Sequence, residues 1–347
     1  MSESEQERDQ TVEWNAASVI GSLLEQFDAR YVFPDAAARL RGVLEQRLSN
    51  DDYASIEEPE TFAALLTEQL YEILKDIHVR VYYVPDKRVG PDDDRRKRRD
   101  EFLRRSNYAF RRVERLSGNI GYLELAAFVD LSEPAKAVVC AAMTFLAHTD
   151  ALIIDLRKNG GGSPEMVAYL TSYLFTEEPV HLNSLYWRPT DRTEEFWTHR
   201  EVLGPRYGID KPVYVLMSKN TFSGAEEFAY NLKALKKALL VGEVTGGGAH
   251  PGEEVSVFGN FYAWISTGRA INPYTNTNWE GIGVTPDVRA SPAEALTVAH
   301  LNAVDTLLAS QPPEDVFKEL LVVREELLRH GLSESDAAIQ PTQTTRG

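Results

Sequence analysis

Ser223 is the residue of this sequence best placed to act as a nucleophile. It follows the short apolar run of residues 213–217 and precedes residues 225–235, whose apolar side chains recur at helical spacing. We therefore expect Ser223 at a helix N-terminus, where unpaired backbone N–H groups and the helix dipole stabilise an anion that develops beside the hydroxyl. A serine at this place is also a common N-cap, so its position alone leaves both roles open.

A second apolar run leads into a glycine-rich loop. Residues 151–157 are typical of a strand buried on both faces, and three glycines follow at 160–162. Because glycine has no Cβ, the N–H groups of such a loop can approach a carbonyl oxygen closely. The loop has neither the Lys-Ser/Thr of a P-loop nor the spaced glycines of a dinucleotide-binding motif, so we interpret it as part of an oxyanion hole.

Four motifs resemble, in the same order, those of the tail-specific serine proteases. They are IIDLRKNGGG at 153–162, TFSGAEE at 221–227, VGEVTGGGAH at 241–250 and NWEGIGVTPD at 278–287. The closest pattern is that of the branch containing the tricorn protease core and the repeats of interphotoreceptor retinoid-binding protein. YVFPDAA at 31–37 and LKDIHVRV at 74–81 extend the resemblance to the N-terminal region.

The resemblance implies a catalytic set. Ser223 is the nucleophile, His78 matches the general base of the tricorn-like branch, and Glu280 matches the acidic residue that completes its constellation. Carboxyl-terminal processing proteases use a lysine instead, but Gly248 or a neighbouring glycine occupies that position here, so a Ser-Lys dyad is not expected. The branch also has a hydroxyl residue directly before the histidine, where this chain has Ile77, which leaves the coupling of Glu280 to His78 open.

The remaining site residues are backbone donors and loop residues. The resemblance assigns the oxyanion hole to the N–H of Gly224 and of either Gly161 or Gly162. Substrate binding is expected of the glycine-rich loops, at Gly160, Gly247, Gly248 and His250.

Two histidines compete for the role of base. The unperturbed pKa of histidine lies near neutrality, so His78 can accept the serine proton and return it to the leaving amine. Taken alone, His78 is equally well explained as a partly buried residue at a helix-to-strand junction. His250 lies in a loop expected near Ser223, and we interpret it as a substrate-binding or loop-shaping residue. No two histidines have metal-ligand spacing and Cys140 is single, so no metal and no cofactor are predicted.

Composition restricts the class of protein. The 347 residues carry a formal charge of 37 − 53 = −16, which argues against a nucleic-acid partner. The basic run at 95–99 is flanked by acidic residues and is expected on a solvated surface. With one cysteine, no apolar N-terminal signal and no run that would span a membrane, the sequence predicts a cytoplasmic protein.

The order of elements predicts four parts. Residues 1–85 form a small helical subdomain, 86–110 a charged connector too short for a PDZ module, 111–311 the catalytic core, and 312–347 a C-terminal helix with a polar tail. Helices are expected at 14–27, 35–48, 60–75, 133–147 and 314–330. An edge strand is expected at 79–84 and further strands at 120–125, 238–242, 255–258 and 261–266, the last two joined by a hairpin turn at 259–260. Alternating strands and helices predict an α/β (α+β) fold, and the resemblance implies the Clp protease/crotonase type of spiral core.

The resemblance implies a serine peptidase that hydrolyses peptides or flexible protein termini through an acyl-enzyme. Two alternatives stay open. One is a non-catalytic binder of an apolar ligand, such as a retinoid or fatty acid, and the other is an acyl transferase. The apolar stripe of the C-terminal helix is expected to pack on the chain's own core, although a homo-oligomer through this helix is an alternative.

Overall fold

The computed structural model describes residues 14–85 and 92–337. Its helices are α1 (Ala16–Arg30), α2 (Pro34–Ser49), α3 (Pro59–Leu74), α4 (Asp92–Arg105), α5 (Glu133–Leu146), α6 (Pro164–Ser172), α7 (Gly224–Ala234), α8 (Ala295–Ala309) and α9 (Glu314–Ala337). Its strands are β1 (Arg80–Tyr83), β2 (Phe110–Leu116), β3 (Ile120–Leu125), β4 (Ala151–Asp155), β5 (His181–Trp187), β6 (Arg192–Trp197), β7 (Val213–Met217), β8 (Leu239–Gly242), β9 (Gly252–Phe258), β10 (Phe261–Ser266), β11 (Gly268–Ile271) and β12 (Val288–Arg289).

These elements form two compact units. The first contains the described residues up to Arg95, together with Ser184–Glu194 and His250–Ile271. The second contains Arg96–Asn183, Glu195–Ala249 and the described residues from Asn272 onward. The four-part division along the sequence stays a prediction.

The first unit packs three helices on an antiparallel sheet. The sheet has the strand order β1-β10-β9, so β1 is an edge strand as predicted. Phe258 pairs with Phe261 across the hairpin turn predicted at residues 259–260. The buried faces of α1, α2 and α3 cover the sheet, and Phe62 meets Phe261 at their centre, with ring centroids 6.1 Å apart. These aromatic side chains pack with the buried aliphatic residues that make up most of the unit's apolar core.

The second unit is built on a six-stranded sheet with the order β12-β8-β7-β4-β3-β2. All neighbouring pairs are parallel except β2 with β3. Small residues on α8, Ala295, Ala299 and Ala303, pack against the buried face of this sheet. Because β4 and β7 are parallel neighbours, the loops that follow them leave the same edge of the sheet. This topology brings the glycine-rich loop and Ser223 together.

The α/β fold class is confirmed, and the predicted elements that fall on described residues are present with small shifts at their ends. The sequence did not predict α4, α8, β2, β5, β6, β11 or β12. Helix α4 carries almost only charged residues and lacks the apolar stripe by which helices are recognised. Among the described helices, none has the length and the apolar character needed to cross a bilayer.

The end of the last helix was predicted wrongly. Helix α9 continues past Gly331, where the sequence suggested a C-terminal stop, to Ala337. One glycine costs about 1 kcal/mol in a helix, which strong helix formers on either side can offset. Residues 1–13, 86–91 and 338–347, including most of the predicted polar tail, lie outside the described residues.

Helix α9 packs on its own core, as predicted. Val316, Leu320, Val323 and Leu327 form the predicted apolar face, and they cluster with apolar residues of α8. Leu320 is 1% exposed, whereas its neighbour Leu321 is 40% exposed. The two leucines therefore provide a matched pair for testing this contact.

We expect Leu320→Ala to lower the free energy of unfolding by about 2–4 kcal/mol, because it removes buried apolar surface and leaves a cavity. Leu321→Ala should change it by no more than about 0.5 kcal/mol. Urea unfolding of both variants checks this. Equal effects would show that the α8–α9 contact does not stabilise the chain.

Candidate active site

Ser223 occupies a strained turn between β7 and α7. Its backbone angles are φ 53° and ψ −123°, a combination that residues with a Cβ rarely adopt. The residue is the N-cap of α7, as predicted, and is half-buried. A serine on a strained strand-to-helix turn presents its Oγ above the sheet edge, which is the arrangement called a nucleophile elbow.

Gly161 approaches this turn so closely that no other residue fits. A Cβ on Gly161 would lie 2.8 Å from the Cβ of Ser223 and 2.7 Å from the backbone nitrogen of Gly224. Asn159 fixes the approach: its Oδ1 accepts the N–H of Gly161 at 2.8 Å, and its carbonyl oxygen accepts the N–H of Phe222 at 3.1 Å. One buried asparagine thus joins the glycine-rich loop to the serine turn.

The same hydrogen bonds distinguish Gly161 from Gly162 as candidates for the second oxyanion donor. Gly161 is buried and already donates its N–H to Asn159, whereas Gly162 is exposed beside it. Gly162 has φ 136°, and a Cβ there would lie 1.9 Å from the carbonyl oxygen of Phe128. The geometry therefore favours the N–H groups of Gly162 and Gly224 as the oxyanion donors. Gly161 instead allows the glycine-rich loop to lie close to the serine turn.

Glu226 ties the serine turn to the second glycine-rich loop. Its Oε2 accepts the N–H of Ser223 at 2.9 Å and that of Gly248 at 2.8 Å, and its Oε1 accepts the N–H of Gly247 at 2.7 Å. The hydroxyl of Thr245 donates to Oε1 as well. Burial raises the pKa of Glu226, and these four hydrogen bonds oppose that rise.

Glu280 is anchored to the same loop. Its Oε2 accepts the N–H of Ala249, and the indole of Trp279 donates to the carbonyl oxygen of Gly248 at 2.7 Å. The N–H of Gly281 donates to the carbonyl oxygen of Gly247 at 2.9 Å. The glycines at 247 and 248, predicted to bind substrate, thus have structural hydrogen bonds through their N–H and C=O groups.

His78 and His250 lie in the first unit, around the carboxylate of Asp76. The backbone N–H of His78 donates to Oδ1 of Asp76 at 3.0 Å, and Nδ1 of His250 lies 3.2 Å from Oδ2. Burial lowers the pKa of His78 to about 4. The charge of Asp76 opposes this fall, while His250 and Arg80 add to it.

The structure thus places the predicted residues in two groups. Ser223, Gly224, Gly161, Gly162, Gly247, Gly248 and Glu280 belong to the second unit, and His78 and His250 share a carboxylate in the first. Gly160 is exposed, and a Cβ placed on it would have no atom within 4 Å. Sequence reasoning missed the supports Asn159, Glu226 and Asp76. Of these, only Glu226 had a clear signal, because a glutamate three residues after a serine is a capping box.

The second unit therefore has the arrangement of a serine hydrolase, with a strained serine beside paired backbone donors. Residues 119–290 match the model of peptidase family S41, and this part of the chain belongs to that family.

One named relative agrees with this assignment. Carboxyl-terminal-processing peptidase 2, chloroplastic, of Arabidopsis thaliana is 31% identical over 184 residues, which cover 49% of this chain and 32% of that protein. The chain thus spans about a third of the length of the curated relative that it matches.

Solved structures share the fold. A lipoprotein from Streptococcus agalactiae is similar with a TM-score of 0.57 and 14% identity, over 87% of this chain and 98% of that one. The photosystem II D1 C-terminal processing protease gives a TM-score of 0.52 and 15% identity, over 81% and 94%. The predicted fold of the Clp protease/crotonase type is confirmed.

Gly161 and Gly160 allow a matched test of the close approach. We expect Gly161→Ala to slow labelling of Ser223 by a fluorophosphonate about 100-fold or more, because the methyl group displaces the serine turn and its oxyanion donors. Gly160→Ala should label like the wild type, since its methyl group meets no atom within 4 Å. Intact-mass analysis over time gives both rates. Similar rates for the two variants would contradict the assigned role of Gly161.

Glu227 is a buried carboxyl one helical turn after Ser223. Its side chain is 5% exposed, and among the described residues its Oε1 has no hydrogen-bond partner. Burial raises the pKa of Glu227 to about 8, against a smaller opposing effect of Asn183. The folded state therefore holds this proton more tightly than the unfolded chain.

This pKa makes stability depend on pH. A carboxyl whose pKa is raised in the folded state destabilises the fold as pH rises from the unfolded pKa towards the folded one, at about 1.4 kcal/mol per pH unit. We expect Glu227→Gln, which cannot ionise, to gain stability relative to the wild type between about pH 5 and pH 8. Urea unfolding across this range measures the difference. A difference independent of pH would show that Glu227 has an ordinary pKa.

Proposed function

We propose that the chain is a serine peptidase in which Ser223 is the nucleophile. The observation that carries the proposal is the backbone of Ser223, held at φ 53° against Gly161 and at the N-terminus of α7. Such strain persists only where the surrounding structure imposes it, and it is concentrated at functional sites. A serine that serves only as an N-cap does not require such a strained backbone.

The chemistry follows from the groups present. Oγ of Ser223 attacks the peptide carbonyl carbon and gives its proton to an imidazole, for which we propose His78. The oxygen of the tetrahedral intermediate binds the N–H groups of Gly224 and Gly162. The imidazolium then protonates the leaving amine, and water hydrolyses the acyl-enzyme. An oxyanion donor contributes about 3 kcal/mol, and a placed base roughly two to four powers of ten in rate.

The substrates proposed are peptides or flexible protein termini. The curated relative is named a carboxyl-terminal-processing peptidase, which supports cleavage near a chain end. The assignment to the tricorn-like branch, the cytoplasmic location and the contribution of Glu280 to catalysis stay predictions. So does acyl transfer, in which an amine takes the place of water in the second step.

Burial changes the pH dependence that an ordinary histidine base would give. If the base had the pKa of an ordinary histidine, it would become protonated below about pH 6.5, and the reaction rate would fall there. Because burial lowers the pKa of His78 to about 4, a His78 base stays neutral down to that region. A rate that is flat between pH 5 and pH 8 is therefore consistent with His78, and the decline belongs near pH 4.

An apolar-ligand binder is the second candidate, favoured by one cavity. The first unit contains an open cavity of about 810 Å³, whose lining includes Trp14, Tyr53, Ile56 and Tyr83. Binding sites for small ligands have this size and aromatic content. Saturable quenching of tryptophan fluorescence by a fatty acid, together with an unreactive Ser223, would favour this function.

Intact-mass analysis with a fluorophosphonate tests the peptidase. We expect one adduct on the wild type, none on Ser223→Ala, and labelling slowed about 100-fold or more in His78→Ala, because the base is lost. His148→Ala, an exposed histidine, is the control and should label normally. Labelling of the wild type should decline only near pH 4.

Absence of an adduct on the wild type would overturn the assignment of Ser223. Normal labelling of His78→Ala would overturn only the choice of base.

A further inference from the structure

Asp76 is a buried carboxylate at the centre of a polar cluster in the first unit. Its side chain is 1% exposed. Oδ1 accepts the backbone N–H of His78 at 3.0 Å, whereas Oδ2 lies 3.2 Å from Nδ1 of His250 and accepts the hydroxyl of Tyr31 at 3.2 Å. The motifs that carry the family resemblance give this residue no role.

The carboxyl group of Asp76 is ionised at neutral pH. Burial acts to raise its pKa, but the hydrogen bond from His250, the nearby hydroxyl of Ser266 and the two nearby imidazoles outweigh burial and hold the pKa below its ordinary value. An ionised carboxylate only accepts hydrogen bonds. The proton between the two groups therefore belongs to Nδ1 of His250.

The ring of His250 is held on a second side. Phe33 meets it edge to face, with ring centroids 5.1 Å apart. The imidazole is 7% exposed, so both its orientation and its tautomer are set by neighbours rather than by water. A carboxylate that fixes the Nδ1–H tautomer is the arrangement that makes Nε2 of a histidine a proton acceptor in serine hydrolases.

Asp76 also acts on His78. The charged or titratable groups that influence His78 are Asp76, His250 and Arg80, and of these only Asp76 favours the protonated ring. Ile77, which stands where the related branch has a hydroxyl residue, is 50% exposed and offers no polar side-chain atom. The polar support of the histidine region therefore comes from residue 76.

We propose that Asp76 is a positioning residue of the peptidase, which fixes His250 as the Nδ1–H tautomer and holds the backbone of His78, so that the two imidazoles act as one acid–base unit. The proposal rests on the proposed function. A residue that only fills the core would require no particular tautomer of His250. The tautomer of His250 therefore distinguishes a positioning role of Asp76 from a packing role.

The test compares Asp76→Asn with the wild type. Asparagine keeps the size of the side chain but removes its charge, so it no longer fixes the proton of His250 on Nδ1. Asp52→Asn, at an exposed position of the same unit, is the control. The first readout is the ¹⁵N NMR spectrum of ¹⁵N-histidine-labelled protein, with the signals of His250 assigned from His250→Gln.

We expect the Nδ1–H tautomer of His250 in the wild type and in Asp52→Asn, and an Nε2–H signal in Asp76→Asn. Fluorophosphonate labelling of Ser223 at pH 7 should be slowed about 100-fold or more in Asp76→Asn. The acid limb of its pH–rate profile should move to lower pH, since the charge that favours protonated His78 is gone. A loss of folded protein alone would lower the labelled fraction without moving this limb.

The outcomes separate the inference from the function on which it rests. An Nε2–H tautomer of His250 in the wild type overturns the inference, even if Asp76→Asn does not fold. If folded Asp76→Asn is labelled at the wild-type rate, the inference is also overturned, but Ser223 stays the nucleophile. No labelling of the wild type overturns the peptidase and, with it, a catalytic role for Asp76.

Discussion

The geometry around Ser223 depends on the hydrogen bonds that the buried carboxyl group of Glu226 accepts. A charge in the interior is tolerated only where hydrogen bonds replace its lost hydration. Glu226 has four donors: the N–H groups of Ser223, Gly247 and Gly248, and the hydroxyl of Thr245. These donors come from two loops that are well separated in sequence. This one carboxyl group therefore holds both the serine turn and the second glycine-rich loop in position.

Close approach of main chains is the second constraint, and it explains the glycines. Gly161 lies against the Ser223–Gly224 peptide, and a Cβ on Gly247 would lie 3.1–3.3 Å from backbone atoms of Gly281 and Gly283. Backbones that meet at this distance satisfy each other through hydrogen bonds, as between Gly247 and Gly281. The motifs at 160–162, 246–248 and 281–283 are thus the surfaces along which the loops contact one another.

The sequence predicted what local pattern controls. Ser223 at the start of α7, the strands β3 and β7 and the hairpin before β10 follow from apolar spacing and turn residues. It did not predict the role of Asn159 or of Asp76, because their partners are distant in sequence or depend on the bend of a loop. The pKa of His78 was also out of reach, since it depends mainly on burial. Folding decides such properties through neighbours that no spacing rule identifies.

Three buried carboxyl groups show how strongly those neighbours act. Burial alone would raise the pKa of Asp76, Glu226 and Glu227 alike. Hydrogen bonds and two imidazoles bring the pKa of Asp76 below its ordinary value, four donors moderate the rise for Glu226, and Glu227, with few donors, reaches about 8. The charge of each group therefore follows from the donors that surround it. Two adjacent residues of α7, identical in type, consequently differ in the number of hydrogen-bond donors that oppose the rise of their pKa.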